Sequence, residues 1–172
     1  MDCLQGRILV ASPHLRDPNF YQTAVLVVRH GDDGTLGVVL NRPTEILASE
    51  VWKKATNKPC CHHGTLFHGG PCEGPLMVIH RCEAAGQIKV IPGVYFSTEQ
   101  SDVEWLLGQD SNDSRFFIGS AGWAAGQLEQ ELQTGSWIVI HATVDHIFCD
   151  TGRWEAVLEK VARMGEIDPS VN

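Results

Sequence analysis

The sequence predicts an α+β fold, on three observations. Strand-like apolar runs dominate the first half of the chain, helical spacing enters later and irregularly, and no linker-like segment divides the 172 residues. A regular β–α–β alternation would point to a doubly wound parallel sheet, and it is missing here. The length is that of one domain, so a single unit over residues 1–172 is expected. A chain of this size buries roughly two thirds of its unfolded surface and folds without staples.

Arg7–Ala11 reads as a short strand, ended where Pro13 holds Ser12 extended and breaks the ladder. His14–Phe20 follows as a loop, with Asp17, Pro18 and Asn19 favouring turns. Thr23–His30 and Thr35–Asn41 read as a hairpin about Gly31-Asp32-Asp33-Gly34, closed off by Arg42-Pro43. Ile46–Ala55 has helical spacing, whereas 56–65 is polar and irregular. Leu66–His68 and Leu76–Arg81 read as strands either side of Gly69-Gly70-Pro71, and Gln87–Phe96 as one strand bent at Pro92-Gly93. Ser101–Glu104 fits a capping box, opening a helix that ends by Gly108. Arg115–Gly119 and Trp137–His141 read as strands, and Trp123–Leu132 as a helix. Gly152–Met164 is the most regular helix, with Trp154, Val157, Leu158 and Val161 on one face and Gly165 as its stop.

Composition narrows the function classes. Lys plus Arg number 13 and Asp plus Glu 21, a formal charge of −8. A duplex-DNA binder displaces counterions with clustered cations, and no such cluster occurs, so direct DNA binding is not expected. Asp2 occupies the place of a basic n-region, and Ile8–Ala11 is too short for a signal core. No apolar run approaches the roughly 20 residues of a membrane span. A cytoplasmic protein without membrane contact is therefore expected, its six cysteines reduced thiols rather than a disulfide framework.

Five groups of residues invite a chemical reading. Cys60-Cys61-His62-His63 with His68 resembles a metal set, yet it lacks the Cys-x₂₋₄-Cys pair of structural zinc sites, and no metal is expected. Ser120 sits in Gly119-Ser120-Ala121-Gly122, where a nucleophile elbow would need glycine at Ile118. Cys72, after Gly69-Gly70-Pro71, has no activating neighbourhood in sequence, and small buried packing is the ordinary role of such a thiol. Neither phosphate-loop motif occurs, so no nucleotide cofactor is expected. Gly122, opening the helix at Trp123, or Gly69-Gly70 would present amides to an anion, or else permit close backbone packing. Finally, Asn41-Arg42, His80-Arg81 and His141 end apolar strands. With Asp17 and Asn19 they either rim a pocket or satisfy loop backbone.

Several blocks together resemble a known family. Ala11-Ser12-Pro13, Asp17-Pro18-Asn19-Phe20, Gly37–Pro43, Gly69-Gly70-Pro71 and the run from Ala121-Gly122-Trp123 through Gly126-Gln127-Leu128-Glu129 to Glu131-Leu132 are similar to the bacterial YqgE/AlgH family, in order and over nearly the whole chain. The resemblance implies a mixed, largely antiparallel, partly barrel-like sheet flanked by helices. It implies no established catalytic site or cofactor; the AlgH name carries a proposed role in transcriptional regulation of alginate synthesis. The family motif positions are Ser12, Asp17, Asn19, Asn41, Arg42, Gly69, Gly70, Pro71, Trp123 and Gln127, and with His80 they form the candidate ligand-contacting set. Ser120 replaces an aromatic and Cys72 a valine usual in the family, which counts against both as nucleophiles.

The leading expectation is a non-catalytic regulatory or ligand-binding domain, served by a small molecule or a protein partner. The alternative is an enzyme of hydrolase type, with Asp17, His68 or His80 moving protons. Regulation by direct contact with DNA is a third reading, opposed by the charge.

Overall fold

The structure, a computed structural model, describes residues 3–165. Its strands are β1 (Arg7–Ala11), β2 (Ala24–Gly31), β3 (Gly34–Val39), β4 (Pro43–Leu47), β5 (Thr65–His68), β6 (Met77–His80), β7 (Ile88–Ile91), β8 (Val94–Ser97), β9 (Ser114–Ile118), β10 (Ala121–Trp123) and β11 (Trp137–His141). Its helices are α1 (Ala48–Ala55), α2 (Gln100–Leu107), α3 (Gln127–Gln133), α4 (Val144–Phe148) and α5 (Thr151–Gly165). The strands form two sheets, in the orders β10-β3-β2-β1-β11 and β4-β5-β9-β6-β8-β7. Every neighbouring pair is antiparallel except β5 and β9, so the fold is α+β with mixed, largely antiparallel sheets. The barrel-like character resolves into two open sheets facing each other.

The period-two alternation of side chains builds this arrangement. Ile8 and Val10 of β1, Ala24, Leu26 and Val28 of β2, and Val38 turn inward to meet Phe67, Met77, Ile79, Phe96 and Phe117 of the other sheet. The alternate residues of the first sheet, Leu9, Val25, Val27 and Val39, pack outward under Trp123, Leu128 and Trp137. On the second sheet, Leu66, Val78 and Phe116 pack under Trp52 of α1 and Val103, Leu106 and Leu107 of α2. Both faces of β2 are thus covered, which is why Ala24–Val28 is continuously apolar rather than alternating. Ile147 of α4 and Trp154 of α5 join the core shared by the two sheets.

The sheets are stitched at a glycine crossing. The Gly69 amide donates to the Ile118 carbonyl at 2.8 Å, and the Val39 amide donates to the Gly69 carbonyl at 2.8 Å. A Cβ on Gly70 (φ +151) would lie 2.3 Å from the Ser120 backbone, and one on Gly69 2.3 Å from the Gly119 carbonyl oxygen. Close backbone approach explains this pair of glycines. Past Gly119 (φ +76) the chain leaves β9 in one sheet and enters β10 in the other.

Several elements differ from the sequence reading. The chain re-enters a sheet as β4 before α1 begins, because Pro43 and Leu47 pair with β5. The bent strand 87–96 is a hairpin, β7 and β8, turning at Pro92-Gly93 with Gly93 at φ +79. The capping box at Ser101 does not form. The helix starts two residues earlier, behind Glu99, whose amide donates to Ser97 Oγ, and that hydroxyl donates to Asp102. Trp123 closes β10 rather than opening a helix; Gly126 (φ +77) provides the break and α3 starts at Gln127. Gly122 therefore lies inside a strand and presents no helix N-terminus to an anion. The short helix α4 carries no periodic sequence signal. Helix α5 runs through Gly165 instead of stopping before it, and residues 166–172 lie outside the described part of the chain.

Candidate functional site

The loop that holds Asp17–Phe20 is tied down by Asn41 and Arg42. Beyond the end of β3 the Asn41 side chain takes the place of a strand. Its Oδ1 accepts from the buried Ala24 amide at 3.0 Å, and its Nδ2 donates to the Gln22 carbonyl at 2.9 Å. The Arg42 guanidinium donates to the Asn19 carbonyl at 2.6 Å and the Tyr21 carbonyl at 3.2 Å. Asp17 Oδ1 accepts from the Asn19 amide at 2.8 Å, an Asx turn. Gln22 sits at φ +54, unusual for a residue with a Cβ, and the Arg42 bond to the Tyr21 carbonyl and the Asn41 bond to the Gln22 carbonyl fix the backbone on either side of it.

The second motif segment is a polar network over an aromatic cluster. Phe20 stacks on Trp123 at 5.7 Å and meets Trp137 edge-on at 5.6 Å. Both buried indoles donate to one carboxylate oxygen of Glu131, at 3.0 Å from Trp123 and 2.8 Å from Trp137. Gln127 accepts from the Ala124 amide at 3.0 Å and donates to Glu131 at 3.2 Å, closing the start of α3.

His80 is fully buried beneath the 3₁₀ turn at Glu83–Ala85. Its Nδ1 accepts from the Cys82 amide at 3.1 Å, so the ring proton sits on Nε2, which has no partner. Burial pushes its pKa below the ordinary imidazole value, with Asp102 and the Ala85 backbone opposing. Arg81 donates to the Gly93 carbonyl at 3.3 Å, and His141 meets Arg7 on the other sheet, so the three strand ends do not share a rim.

The candidate set thus distributes over separate places. Ser12 lines a cleft of about 460 Å³ against Leu158, Glu159 and Val161 of α5, and its Oγ is buried without a partner. Gly70 and Pro71 line another, of about 450 Å³, beside His68 and Cys72. Cys72 is exposed, and its backbone pairs with Ser120. Among the described residues no group of three or more His, Cys, Asp or Glu side chains is placed to hold a metal ion.

A larger cleft, of about 520 Å³, opens where β5 and β9 begin. Its walls are the loop carrying His62 and His63, the loop carrying Asp110, Ser111 and Asn112, and the junction of α4 and α5 at Phe148 and Asp150. The amides of Cys61 and His62 both donate to the Leu107 carbonyl, which seats the first loop on the end of α2. His62 is buried edge-on against Phe116, with ring centroids 4.8 Å apart. Burial, with His63 and Arg115 nearby, lowers its pKa, against an opposing pull from Asp110.

Arg115 is the floor of this cleft. Its parity in β9 is that of Phe117, so a guanidinium occupies a core-facing position. One terminal nitrogen donates to the carbonyls of Phe148 at 2.8 Å and Cys149 at 2.7 Å, at the end of α4, where a cation suits the helix dipole. The guanidinium carbon lies 4.8 Å from the Phe67 ring centroid. Burial lowers the pKa of the group, against an opposing pull from Cys149 and Asp150. No carboxylate lies within ion-pair distance of it among the described residues, although Asp110 and Asp150 line the same walls.

A family profile described as AlgH-like matches residues 8–165. The chain belongs to the AlgH-like family. A UPF0301 protein of Thermobifida fusca is 35% identical over 175 residues, covering 91% of this chain and 86% of that one. A second from Chlorobaculum tepidum is 34% identical over 153 residues, covering 84% and 79%. The solution structure of the AlgH protein from Pseudomonas aeruginosa superposes with a TM-score of 0.77 at 28% identity, over 94% of this chain and 89% of that chain. A crystal structure from Corynebacterium diphtheriae, at a TM-score of 0.74 and 24% identity over 91% and 90% of the two chains, shows the same fold. In this AlgH-like chain the Arg115 cleft contains none of the motif residues that carry the resemblance. Arg115, Asp110 and Ser114 escaped the sequence reading, and His62 and His63 entered it only as metal ligands. One signal was available: Ser114-Arg115-Phe116-Phe117-Ile118 places a charge at a core-facing position of an otherwise uncharged strand.

Proposed function

We propose that this AlgH-like domain is a non-catalytic binding module that takes a small molecule bearing an acidic group in the Arg115 cleft. The supporting observation is the guanidinium itself. A partly buried cation with no carboxylate at ion-pair distance among the described residues carries a desolvation cost that Asp150 and the two carbonyls offset only in part, and an arriving anion offsets it further. Nη2 is anchored on the Phe148 and Cys149 carbonyls, and Nε and Nη1, without a protein acceptor among the described residues, suit single charge-assisted bonds to a carboxylate or phosphoryl oxygen. Asp110, Asp150, Ser111 and Asn112 on the walls suit hydroxyl or ammonium donors elsewhere on the same molecule. A cleft of about 520 Å³ fits a metabolite rather than a macromolecule. On this reading the domain resides in the cytoplasm, where its six free thiols stay reduced, and it reports ligand occupancy to a protein partner rather than to DNA.

Thermal unfolding with a panel of probes tests this: inorganic phosphate, citrate, glutamate, ribose 5-phosphate and ATP, each in excess. A ligand at a hundred times its Kd adds about 2.7 kcal/mol. His63 is exposed on the cleft wall, so His63→Glu adds a carboxylate there without touching the Arg115 anchor. The expected result is a stabilising probe whose effect shrinks in His63→Glu. No shift with any probe, or a shift indifferent to the substitution, refutes the assignment.

A further inference from the structure

We propose that β11 is the seat of a two-fold dimer, pairing antiparallel with β11 of a second copy and joining the two five-stranded sheets into one. β11 is an edge strand, and its hydrogen-bond parity is fixed by its neighbours. The Ser12 amide donates to the Ser136 carbonyl at 3.0 Å, and the Ala142 amide donates to the Gly6 carbonyl at 3.2 Å. Both agree with the register that pairs Val10 with Ile138 and Ile8 with Ile140. Even-numbered residues therefore turn their backbone groups to β1, while Trp137, Val139 and His141 present theirs outward.

Among the described residues, the other edges of this fold are guarded and this one is not. β4 contains Pro43 and Glu45 and pairs irregularly with β5. β7 contains Lys89 and a register shift beside it. β10 is three residues long. These are the devices by which proteins keep strand edges from pairing with other chains: proline, charge, bulge and brevity. β11 has five residues in unbroken register, and the surrounding stretch 132–144 holds no Asp, Glu, Lys or Arg. Ile138 and Val139 are among the exposed large apolar side chains.

The occupant this edge fits is a second copy. A chain of net charge −8 repels its own kind over most of its surface. An uncharged strand lets two copies approach without carboxylates meeting. The strand is also its own complement. A two-fold axis through Val139 sets Val139 opposite Val139 of the partner subunit and Trp137 opposite the partner's His141, so every outward N–H meets an outward C=O. Such an interface is isologous and closes at two subunits.

Sedimentation equilibrium of the full chain across the micromolar range, with two charge variants, tests the pairing. Wild type is expected to double in mass as concentration rises. Val139→Lys and Val139→Glu each place like charges face to face at the axis and are expected to stay monomeric with unchanged circular dichroism. Their equimolar mixture sets lysine against glutamate and is expected to recover the dimer. In wild type, the amides of Trp137, Val139 and His141 are expected to exchange hydrogen slowly when concentrated and fast when dilute, a readout that needs no variant. A monomeric wild type, a dimer that survives both substitutions, a mixture that stays monomeric, or fast exchange at those amides in the concentrated sample overturns the proposal. A β11 edge covered instead by residues 166–172 or by another protein's peptide appears as the monomeric outcome.

Discussion

Asn41→Ala separates a loop-tying role from a ligand-contacting one, and the structure sets its size. Two groups lose their partner. The Ala24 amide is fully buried in β2, and an unpaired buried donor costs about 1–3 kcal/mol. The Gln22 carbonyl is exposed and finds water, so its loss adds about 0.5 kcal/mol. A destabilisation of about 2–3 kcal/mol is expected, lowering the melting temperature by roughly 4–12 °C for a chain of this length. Asn41→Asp sharpens the test. The carboxylate still accepts from Ala24, but it sets a second oxygen against the Gln22 carbonyl, where the amide donated. Protonation restores that donor, so the folded-state pKa of the new acid lies above its unfolded value of about 3.9. The folded state then binds the extra proton, and stability relative to wild type returns as pH falls through the folded pKa. Urea unfolding of both variants and wild type between neutral and mildly acidic pH measures this. A cost below about 0.5 kcal/mol for Asn41→Ala, or no acid recovery in Asn41→Asp, refutes the loop-tying account.

Glu131 accepts from two buried indoles, so Glu131→Ala is expected to cost about 3 kcal/mol or more, and Glu131→Gln, which keeps an acceptor oxygen, about 1 kcal/mol. Urea unfolding followed by tryptophan fluorescence distinguishes them, and equal costs contradict the shared-acceptor reading. His80 has its pKa lowered in the folded state, so as pH falls below about 6.5 the unfolded chain takes up the proton first and stability declines. His80→Asn keeps an acceptor for the Cys82 amide but does not titrate, so it is expected to be less stable than wild type near neutrality yet to lose less on acidification. Parallel pH slopes for the two proteins defeat that assignment.

The strands were legible where one physical cause acted alone. β1, β2, β3 and β11 follow from apolar runs bounded by Pro13, Gly31–Gly34 and Gly135, and α5 from a clean helical stripe. The errors fall where two causes compete. Trp123 and Gln127 share an apolar, helix-compatible window, but pairing with Thr35 and Leu36 holds Gly122 and Trp123 extended until the left-handed Gly126 releases the chain. Gln87–Phe96 is apolar on both sides of Pro92-Gly93, and sequence alone does not say whether a Pro-Gly step bends a strand or reverses it. The cleft was the least legible feature. Its walls come from residues 62–67, 110–115 and 148–150, brought together by the parallel β5–β9 pair and by the anchoring of α4 on Arg115, and neither long-range pairing leaves a local trace.

Hydrogen-bonding capacity separates architecture from site more clearly than residue type does. Asn41, Arg42 and Gln127 are the polar residues that drew attention in the sequence, yet each makes its bonds within the chain. A ligand that took them would first break those bonds, and for Asn41 would orphan a buried amide in β2. An unmet donor is not enough either. His80 Nε2 has no partner, but the ring is sealed beneath the 3₁₀ turn and lines none of the clefts described above, so its cost is borne by the fold. Ser12 comes closer, with an unpartnered hydroxyl beside a cleft, but it brings no charge to fix a ligand's orientation. Arg115 meets both conditions and adds charge: unused donors, a cleft that reaches them, and a cation whose burial still outweighs the pull of Asp150. Substituting it would also release α4, because the same side chain holds the Phe148 and Cys149 carbonyls. The discriminating change therefore belongs on the cleft wall at His63, where binding alters and the helix anchor stays intact.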